Sequence, residues 1–239
     1  MEFIFKTELD STNTYAKNHM SEISHMSFVY CDKQTKGKGR LDRVWVSPNA
    51  ENLYLTIVLK PESQTFPYVN LTQYLCVVVC DILKEYGVEP QIKWPNDILI
   101  NGKKIAGILA QTSTIGNKIQ GVALGIGVNL NSTSEEINSI DKPATSLNLE
   151  LNKEINRDEF LRKLACKFER DFENFAKGGF NFIEKDYLKQ ACFLNKEITV
   201  KTIDKSLCGR VKALTDDGAL LLCDNKTNKD LVITMGEIQ

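Results

Sequence analysis

The stretch Asp97-Ile98-Leu99-Ile100-Asn101-Gly102-Lys103-Lys104-Ile105-Ala106-Gly107-Ile108-Leu109-Ala110-Gln111 carries the strongest hairpin signal in the chain. Asn-Gly suits a two-residue type I′ turn, in which both central residues take positive φ. The arms on either side are rich in isoleucine and leucine. Upstream, Ile92 opens another strand, which Pro95 cuts short. Downstream, residues 121–130 read as a strand with Gly125 and Gly127 inside it. A β-sheet therefore occupies the middle of the chain.

Outward from this centre, residues 2–6, 27–31 and 53–59 read as further strands. Asp10 or Ser11 can cap a helix running to about His19. Residues 66–86 are predicted helical and largely buried, with Gly87 as a natural stop. Residues 131–145 form a polar loop. Residues 157–176 place Phe160, Leu161, Leu164, Phe168 and Phe172 at helical spacing, and 181–190 form a shorter helix. From Ile198 the pattern changes to short strands separated by Asp216-Asp217-Gly218 and Asp224-Asn225. We place a boundary at about residue 192, giving a larger domain, 1–192, and a smaller one, 193–239. The second has too little core to be comfortable alone. The fold class expected is α+β, a mixed β-sheet backed by helices, with a small C-terminal β-barrel.

The 30 Lys plus Arg residues nearly balance 31 Asp plus Glu, so the net charge is −1 and bulk electrostatic attraction to nucleic acid or membrane is excluded. An apolar content of 42% excludes intrinsic disorder. Seven cysteines, an odd number without Cys-x-x-Cys spacing, point to a reduced cytoplasmic setting. No secretory signal or membrane-spanning run is present. His19 and His25 are the only histidines, so a hydrolase triad or a histidine-rich metal site has little to build on.

Four segments could carry chemistry. In Gln34-Thr35-Lys36-Gly37-Lys38-Gly39-Arg40-Leu41-Asp42-Arg43-Val44-Trp45, two glycines let backbone N–H groups approach an anion. Arg40 and Arg43 can clamp a carboxylate or phosphate, and Trp45 offers a flat face. A solvated basic loop is the plain alternative; neither a P-loop nor a Rossmann fingerprint is present. Lys93-Trp94-Pro95-Asn96-Asp97 would present Lys93, Asn96 and Asp97 at a strand end, or be an ordinary turn. In the hairpin, period-two alternation puts Lys104 on the face of Ala106 and Ile108. Gly107, with Gly125, Gly127 and Asn129 downstream, suggests thinned strands forming a slot for a flat ligand. Ser11-Thr12-Asn13 is either an N-cap cluster or a set of ligand donors.

In this order, Ser11 to Asn13, Gly37 to Trp45, Lys93 to Asp97, Lys104 to Leu109 and Gly125 to Asn129 resemble the biotin–protein ligases. Asp217 to Leu222 and Met235-Gly236-Glu237-Ile238 look like that family's small C-terminal domain. The resemblance implies a catalytic domain like that of class II aminoacyl-tRNA synthetases, followed by an SH3-like barrel. It implies activation of biotin by Mg-ATP to biotinyl-5′-AMP, then transfer to a lysine of a biotin carboxyl carrier domain, such as that of acetyl-CoA carboxylase. Lys104 and Arg40 are then catalytic. Ser11, Thr12, Asn13, Gln34, Gly37, Lys38, Arg40, Lys104, Gly107 and Gly125 bind biotin. Arg43, Trp45, Lys93, Asn96, Asp97 and Asn129 line the ATP side. No protein ligand for Mg²⁺ is assigned.

Lys38 stands where the family pattern has arginine, and Leu41-Asp42 where it has Arg-Gly, adding a carboxylate to an anion-binding loop. Loop closure is then weakened, or Asp42 pairs with Arg43 or Lys36. Ten residues precede Ser11, too few for the helix-turn-helix domain of family members that repress transcription. A monofunctional ligase without nucleic-acid or membrane partners is expected, with a homodimer possible by analogy. The alternatives are a lipoate or octanoyl ligase of the same superfamily and a non-catalytic biotin or nucleotide sensor.

Overall fold

The computed structural model describes residues 1–239 except 42, 48–50, 62–65 and 117. A seven-stranded sheet is built from β1 (Glu2–Leu9), β2 (Ser27–Gln34), β3 (Leu53–Leu59), β4 (Pro90–Lys93), β5 (Asp97–Ile100), β6 (Lys103–Ile115) and β7 (Lys118–Val128). Its order is β1-β2-β3-β7-β6-β5-β4. β1 and β2 are parallel, and every other neighbouring pair is antiparallel. At the β5–β6 turn, Asn101 and Gly102 have φ of 51° and 75°, as a type I′ turn requires.

Strand β7 divides the molecule. Val122, Leu124, Ile126 and Val128 point into the main core. Gly121, Ala123, Gly125 and Gly127 point the other way and carry almost no side chain. The large face is covered by α2 (Leu71–Glu85), α5 (Arg157–Gly178) and α6 (Phe180–Gln190). Tyr74 of α2 stacks on Phe175 of α5 at 4.4 Å. Asn156 caps α5 by accepting from the Glu159 amide, and Asp158 and Glu159 suit its positive first turn. The small face receives α1 (Thr12–Asn18), whose Ala16 packs with Met20, Val29, Val58 and Ala123. α1 is short, so much of that face is left for other groups.

The region expected as a polar loop, 131–145, holds one short helix, α3 (Ser134–Asn138), and a second, α4 (Leu147–Leu151), follows it. A capping box between Thr133 and Glu136 starts α3 within a polar sequence.

The C-terminal strands are β8 (Glu197–Lys201), β9 (Ser206–Leu214), β10 (Leu220–Asp224), β11 (Asp230–Ile233) and β12 (Glu237–Ile238). They pair antiparallel in the order β11-β10-β9-β8-β12. The expected barrel is not closed: β11 and β12 are the two edges of an open sheet. The physical reason is that β12 is two residues long. The sheet's apolar residues Val200, Val211, Leu220, Leu222, Ile233 and Ile238 join the main core instead of closing on themselves.

The docking point is the turn between β9 and β10. Trp94 Nε1 and Gln73 Nε2 both donate to the Gly218 carbonyl, at 3.1 and 2.9 Å, and Asn70 Nδ2 donates to that of Asp217 at 2.8 Å. Gly218 has φ of 76°, and a Cβ there would lie 2.6 Å from Gln73 Oε1. Gly102 has a similar φ, with open space around it. Gly102→Ala should therefore cost about 1–2 kcal/mol from backbone conformation alone. Gly218→Ala should cost that plus roughly 1–3 kcal/mol of overpacking. Urea denaturation of the two variants checks the difference.

Candidate functional site

On the small face, α1 meets the sheet through a buried polar network. Thr12 donates its backbone N–H to Gln34 Oε1 at 2.9 Å, and its hydroxyl lies 3.3 Å from the same oxygen. Thr56 Oγ1, fully buried in β3, lies 2.8 Å from Thr12 Oγ1 and 2.6 Å from Asn13 Oδ1. Asn13 Nδ2 donates to Leu109 O and Gln111 Oε1 at 3.2 and 3.1 Å. A Cβ on Gly125 would overlap the Asn13 amide, so this glycine is what admits Asn13. Gln34 Nε2 donates to Ser47 Oγ at 3.0 Å. Ser11, 2% exposed, makes no side-chain cap bond to the helix it precedes.

The basic segment folds back on itself as a narrow loop. Trp45 N donates to Gly37 O at 2.9 Å, Gly39 N donates to Arg43 O at 2.8 Å, and Lys38 bridges Val44. A Cβ on Gly37 would overlap the Trp45 carbonyl, which explains that glycine. Leu41 at the tip has φ of 53°, a left-handed conformation costing about 1–2 kcal/mol for a residue with a side chain. The expected pairing of Asp42 lies outside the described residues.

The Trp45 indole lies on the sheet where Gly107 and Gly127 leave space: a Cβ on Gly127 would lie 2.6 Å from Cζ2, and one on Gly107 3.0 Å from Cζ3. The slot expected over the thinned strands is thus filled by a side chain of the chain itself. Among the described residues the buried indole N–H has no partner.

Lys104 is where simple alternation fails. The β5–β6 register shifts between Ile98 and Leu99, leaving Ile105 as an extra residue. Ile105 and Ala106 both enter the main core, and the phase changes between them and Lys104. Lys104 therefore lies over Gly107 rather than on the face of Ala106: a Cβ on Gly107 would be 2.9 Å from Nζ. Its Nζ sits 2.6 Å from Asp97 Oδ1 and 5.4 Å from the Trp45 ring centre. Its backbone is pinned on the 143–145 segment, accepting from Thr145 N and donating to Pro143 O, both at 2.9 Å.

Arg40 Nη1 donates to Asn96 Oδ1 at 2.9 Å, and Asn96 Nδ2 donates to Ile108 O at 2.7 Å. Burial pulls the Arg40 guanidinium below the usual arginine range; Asp97 and Glu237 work against this, and Arg43 adds to it. It remains a cation, poorly solvated and receptive to an anion. Arg43 pairs with Glu237 of β12, which also accepts from Lys142 Nζ at 3.0 Å. Burial pushes the Glu237 carboxyl up, but the bonds from Arg43 and Lys142 outweigh it and hold the group below its ordinary value.

Most of the predicted residues converge here: Ser11, Thr12, Asn13, Gln34, Gly37, Arg40, Trp45, Asn96, Asp97, Lys104, Gly107 and Gly125. Lys38 lies exposed on the loop. Asn129 is buried and donates to Thr145 O at 3.0 Å, fixing the segment that pins Lys104. Lys93 pairs with Asp97 in the β4–β5 ladder; nearby, burial pushes the half-buried Cys192 thiol up, and Lys196 and, less, Lys93 offset part of that rise. Thr56, Gln111, Ser47, Lys142 and the role of Glu237 were missed. Thr56 had a signal, the one aliphatic hydroxyl in the otherwise apolar-rich Leu53–Leu59.

Fold and site together define an α+β protein with a cationic loop closed over a polar, glycine-thinned sheet face. Residues 5–129 match the biotin/lipoate A/B protein ligase family, and residues 193–239 match the biotin protein ligase C terminal domain. A biotin–[acetyl-CoA-carboxylase] ligase of Paracoccus denitrificans is 34% identical over 219 residues, 89% of this chain and 90% of its own. The bifunctional ligase/repressor BirA of Bacillus subtilis is 30% identical over 207 residues, 86% of this chain. The chain spans only 61–64% of the length of the two Bacillus relatives. The structure of a biotin protein ligase from Aquifex aeolicus in complex with biotin and ATP superposes with a TM-score of 0.84 at 27% identity, covering 100% of this chain and 97% of that one. The chain belongs to the biotin protein ligases.

Glu237 gives the site a pH-dependent element. A carboxyl held low in the folded state adds stability that is present above its unfolded pKa, about 4.3, and is lost as pH falls through the folded value. The pair is partly exposed, so the contribution should be roughly 0.5–1 kcal/mol. Glu237→Gln should lower stability by that amount at pH 7 and by less near pH 3, as read from denaturation midpoints across that range.

Proposed function

We propose that this chain joins biotin to ATP, forming biotinyl-5′-AMP and pyrophosphate, and then passes the biotinyl group to a lysine of a biotin carboxyl carrier domain. The observation that carries this reading is the convergence of Lys104, on one side of the glycine-thinned sheet, with Arg40 and Arg43 on the loop above it. Two anions must meet for the first step, a carboxylate and a triphosphate, and local cations offset their repulsion. The carboxylate oxygen attacks the α-phosphorus, and the bond to the pyrophosphate oxygen breaks. In the second step the neutral amine of the acceptor lysine attacks the acyl carbon, and AMP leaves. No side-chain nucleophile is needed.

Lys104 is the group to place between carboxylate and α-phosphate, once Asp97 yields part of its hold. Arg40, positioned by Asn96, faces the same charge. Ser11, Thr12 and Gln34 read the ureido end. Arg43 and the unpartnered indole N–H of Trp45 serve the nucleotide. Asn13 and Gly125 support the biotin end, and Asn129 holds the segment behind Lys104. Among the described residues no group of three or more His, Cys, Asp or Glu side chains could hold a metal ion. Magnesium would accordingly arrive on the phosphates of ATP, whose charge it would partly neutralise.

The same reading divides the chain into a catalytic part, 1–192, and a C-terminal part, 193–239, supported by the second family match, which begins at residue 193. It places the protein in the cytoplasm, supported by seven cysteines that are all free. No helix among the described residues is long and apolar enough to cross a membrane. The net charge of −1 favours a carrier-protein partner over nucleic acid. Exposed Phe3 and Phe5 on edge strand β1 support a homodimer by sheet extension; sedimentation equilibrium should show a concentration-dependent dimer that Phe5→Lys weakens.

Mass spectrometry of a carrier domain incubated with biotin and Mg-ATP tests the main reading. The wild type should add one biotinyl mass, and Lys104→Ala should slow this by about a hundredfold or more. Lipoate in place of biotin as the group added would favour the lipoate ligases, and biotin binding without pyrophosphate release would favour a sensor.

A further inference from the structure

The polar network under α1 has a direction, which can be worked out from its donors and acceptors. Asn13 Nδ2 has two hydrogens, and both have acceptors, Leu109 O and Gln111 Oε1. Asn13 Oδ1 therefore faces Thr56 and can only accept. Thr56 has one hydroxyl hydrogen, and the 2.6 Å contact to Asn13 Oδ1 takes it. Toward Thr12, at 2.8 Å, Thr56 Oγ1 can then act only as an acceptor. The Thr12 hydrogen goes to Thr56 rather than along the longer 3.3 Å contact to Gln34 Oε1, which already receives the Thr12 amide. The relay thus runs Thr12 to Thr56 to Asn13, and every hydrogen in it points into the protein.

This order decides what remains for a ligand at the start of α1. Thr12 keeps acceptor capacity on its hydroxyl oxygen, and Gln34 Oε1 keeps a second lone pair. Ser11 brings a buried hydroxyl that makes no cap bond. Two acceptors and one hydroxyl donor are the complement of a cyclic urea, which offers two N–H groups and one carbonyl. We propose that Thr56, although behind the residues that would touch substrate, is the positioning residue that sets this pattern by holding the Thr12 hydrogen inward. The proposal rests on the reading of the site as a biotin site. Without the Thr56 hydroxyl, Thr12 is free to turn its hydrogen toward the ligand, where it opposes a urea N–H, and Asn13 Oδ1 is left buried without its donor.

Thr56→Val removes the hydroxyl and keeps the shape, whereas Thr56→Ser keeps the hydroxyl. In biotin-dependent pyrophosphate exchange, Thr56→Val should raise KM for biotin about tenfold or more, the worth of one hydrogen bond with its orphaned partner. Its KM for ATP and its kcat should stay within about twofold, and Thr56→Ser should stay within about threefold of wild type throughout, differences below that of one hydrogen bond. If Thr56→Val does not fold, as judged by its thermal melt without ligand, Thr56→Ala is read in the same way. An unchanged KM for biotin in Thr56→Val overturns the proposal. So does an equal defect in Thr56→Ser, or a defect spread evenly over biotin, ATP and kcat. A wild type that neither binds biotin nor exchanges pyrophosphate would instead overturn the functional reading, and this inference with it.

Discussion

Strand β7 alternates between residues that fill space and residues that leave it. Its even positions from Val122 to Val128 are large and supply the core beneath α2. Its odd positions from Gly121 to Gly127 are glycine or alanine. Because successive side chains leave a strand on opposite faces, this pattern commits one face to packing and strips the other. What settles on the stripped face comes from elsewhere in the chain: Met20 at Gly121, Asn13 at Gly125 and Trp45 at Gly127. A single Cβ at residue 125 or 127 would displace the group above it. The positions of α1 and of the loop thus both follow from side chains that β7 lacks.

That dependence explains what could be read from the sequence. The hairpin at Asn101-Gly102, the buried helix α2 and the aromatic stripe of α5 follow from turn chemistry and periodicity, which are local. Thinned strands were legible too, but not their occupants, since a missing Cβ does not say whether a ligand or a distant side chain fills the gap. Trp45 reaches Gly127 from 82 positions away, a distance no local pattern spans. Lys104 was misplaced for a different reason: period-two alternation assumes an uninterrupted ladder, and the extra residue at Ile105 breaks it. The bulge is set by pairing with β5, which becomes visible only once register is known. The C-terminal barrel was over-read because short β-rich segments do not announce whether a sheet closes on itself or onto a neighbour.

Electrostatics and packing are coupled through the C-terminal sheet. Its turn at Gly218 is fixed between Gln73 and Trp94. Its last strand carries Glu237 to Arg43 and Lys142. Trp94 therefore serves architecture rather than ligand binding, while its neighbours Asn96 and Asp97 face the site. A fixed sheet gives Glu237 a defined place, and a defined place makes a partly exposed ion pair more useful than a floppy one.

The ion pairs also say how the site would respond to ligand. Lys104 is held by Asp97 and Arg43 by Glu237, so both cations have carboxylate partners before any anion arrives. An incoming phosphate or carboxylate must exchange with those partners, and its net gain is the difference between two charge pairings rather than the whole of one. Arg40 is the exception. Its bond is to the neutral Asn96 amide, and burial leaves its charge incompletely solvated. Among the described residues Arg40 has no carboxylate partner to give up when it binds an anion. Of the three cations, Arg40 therefore has the most to gain from a negatively charged ligand, and its hydrogen bond to Asn96 is the contact that keeps it ready on the loop.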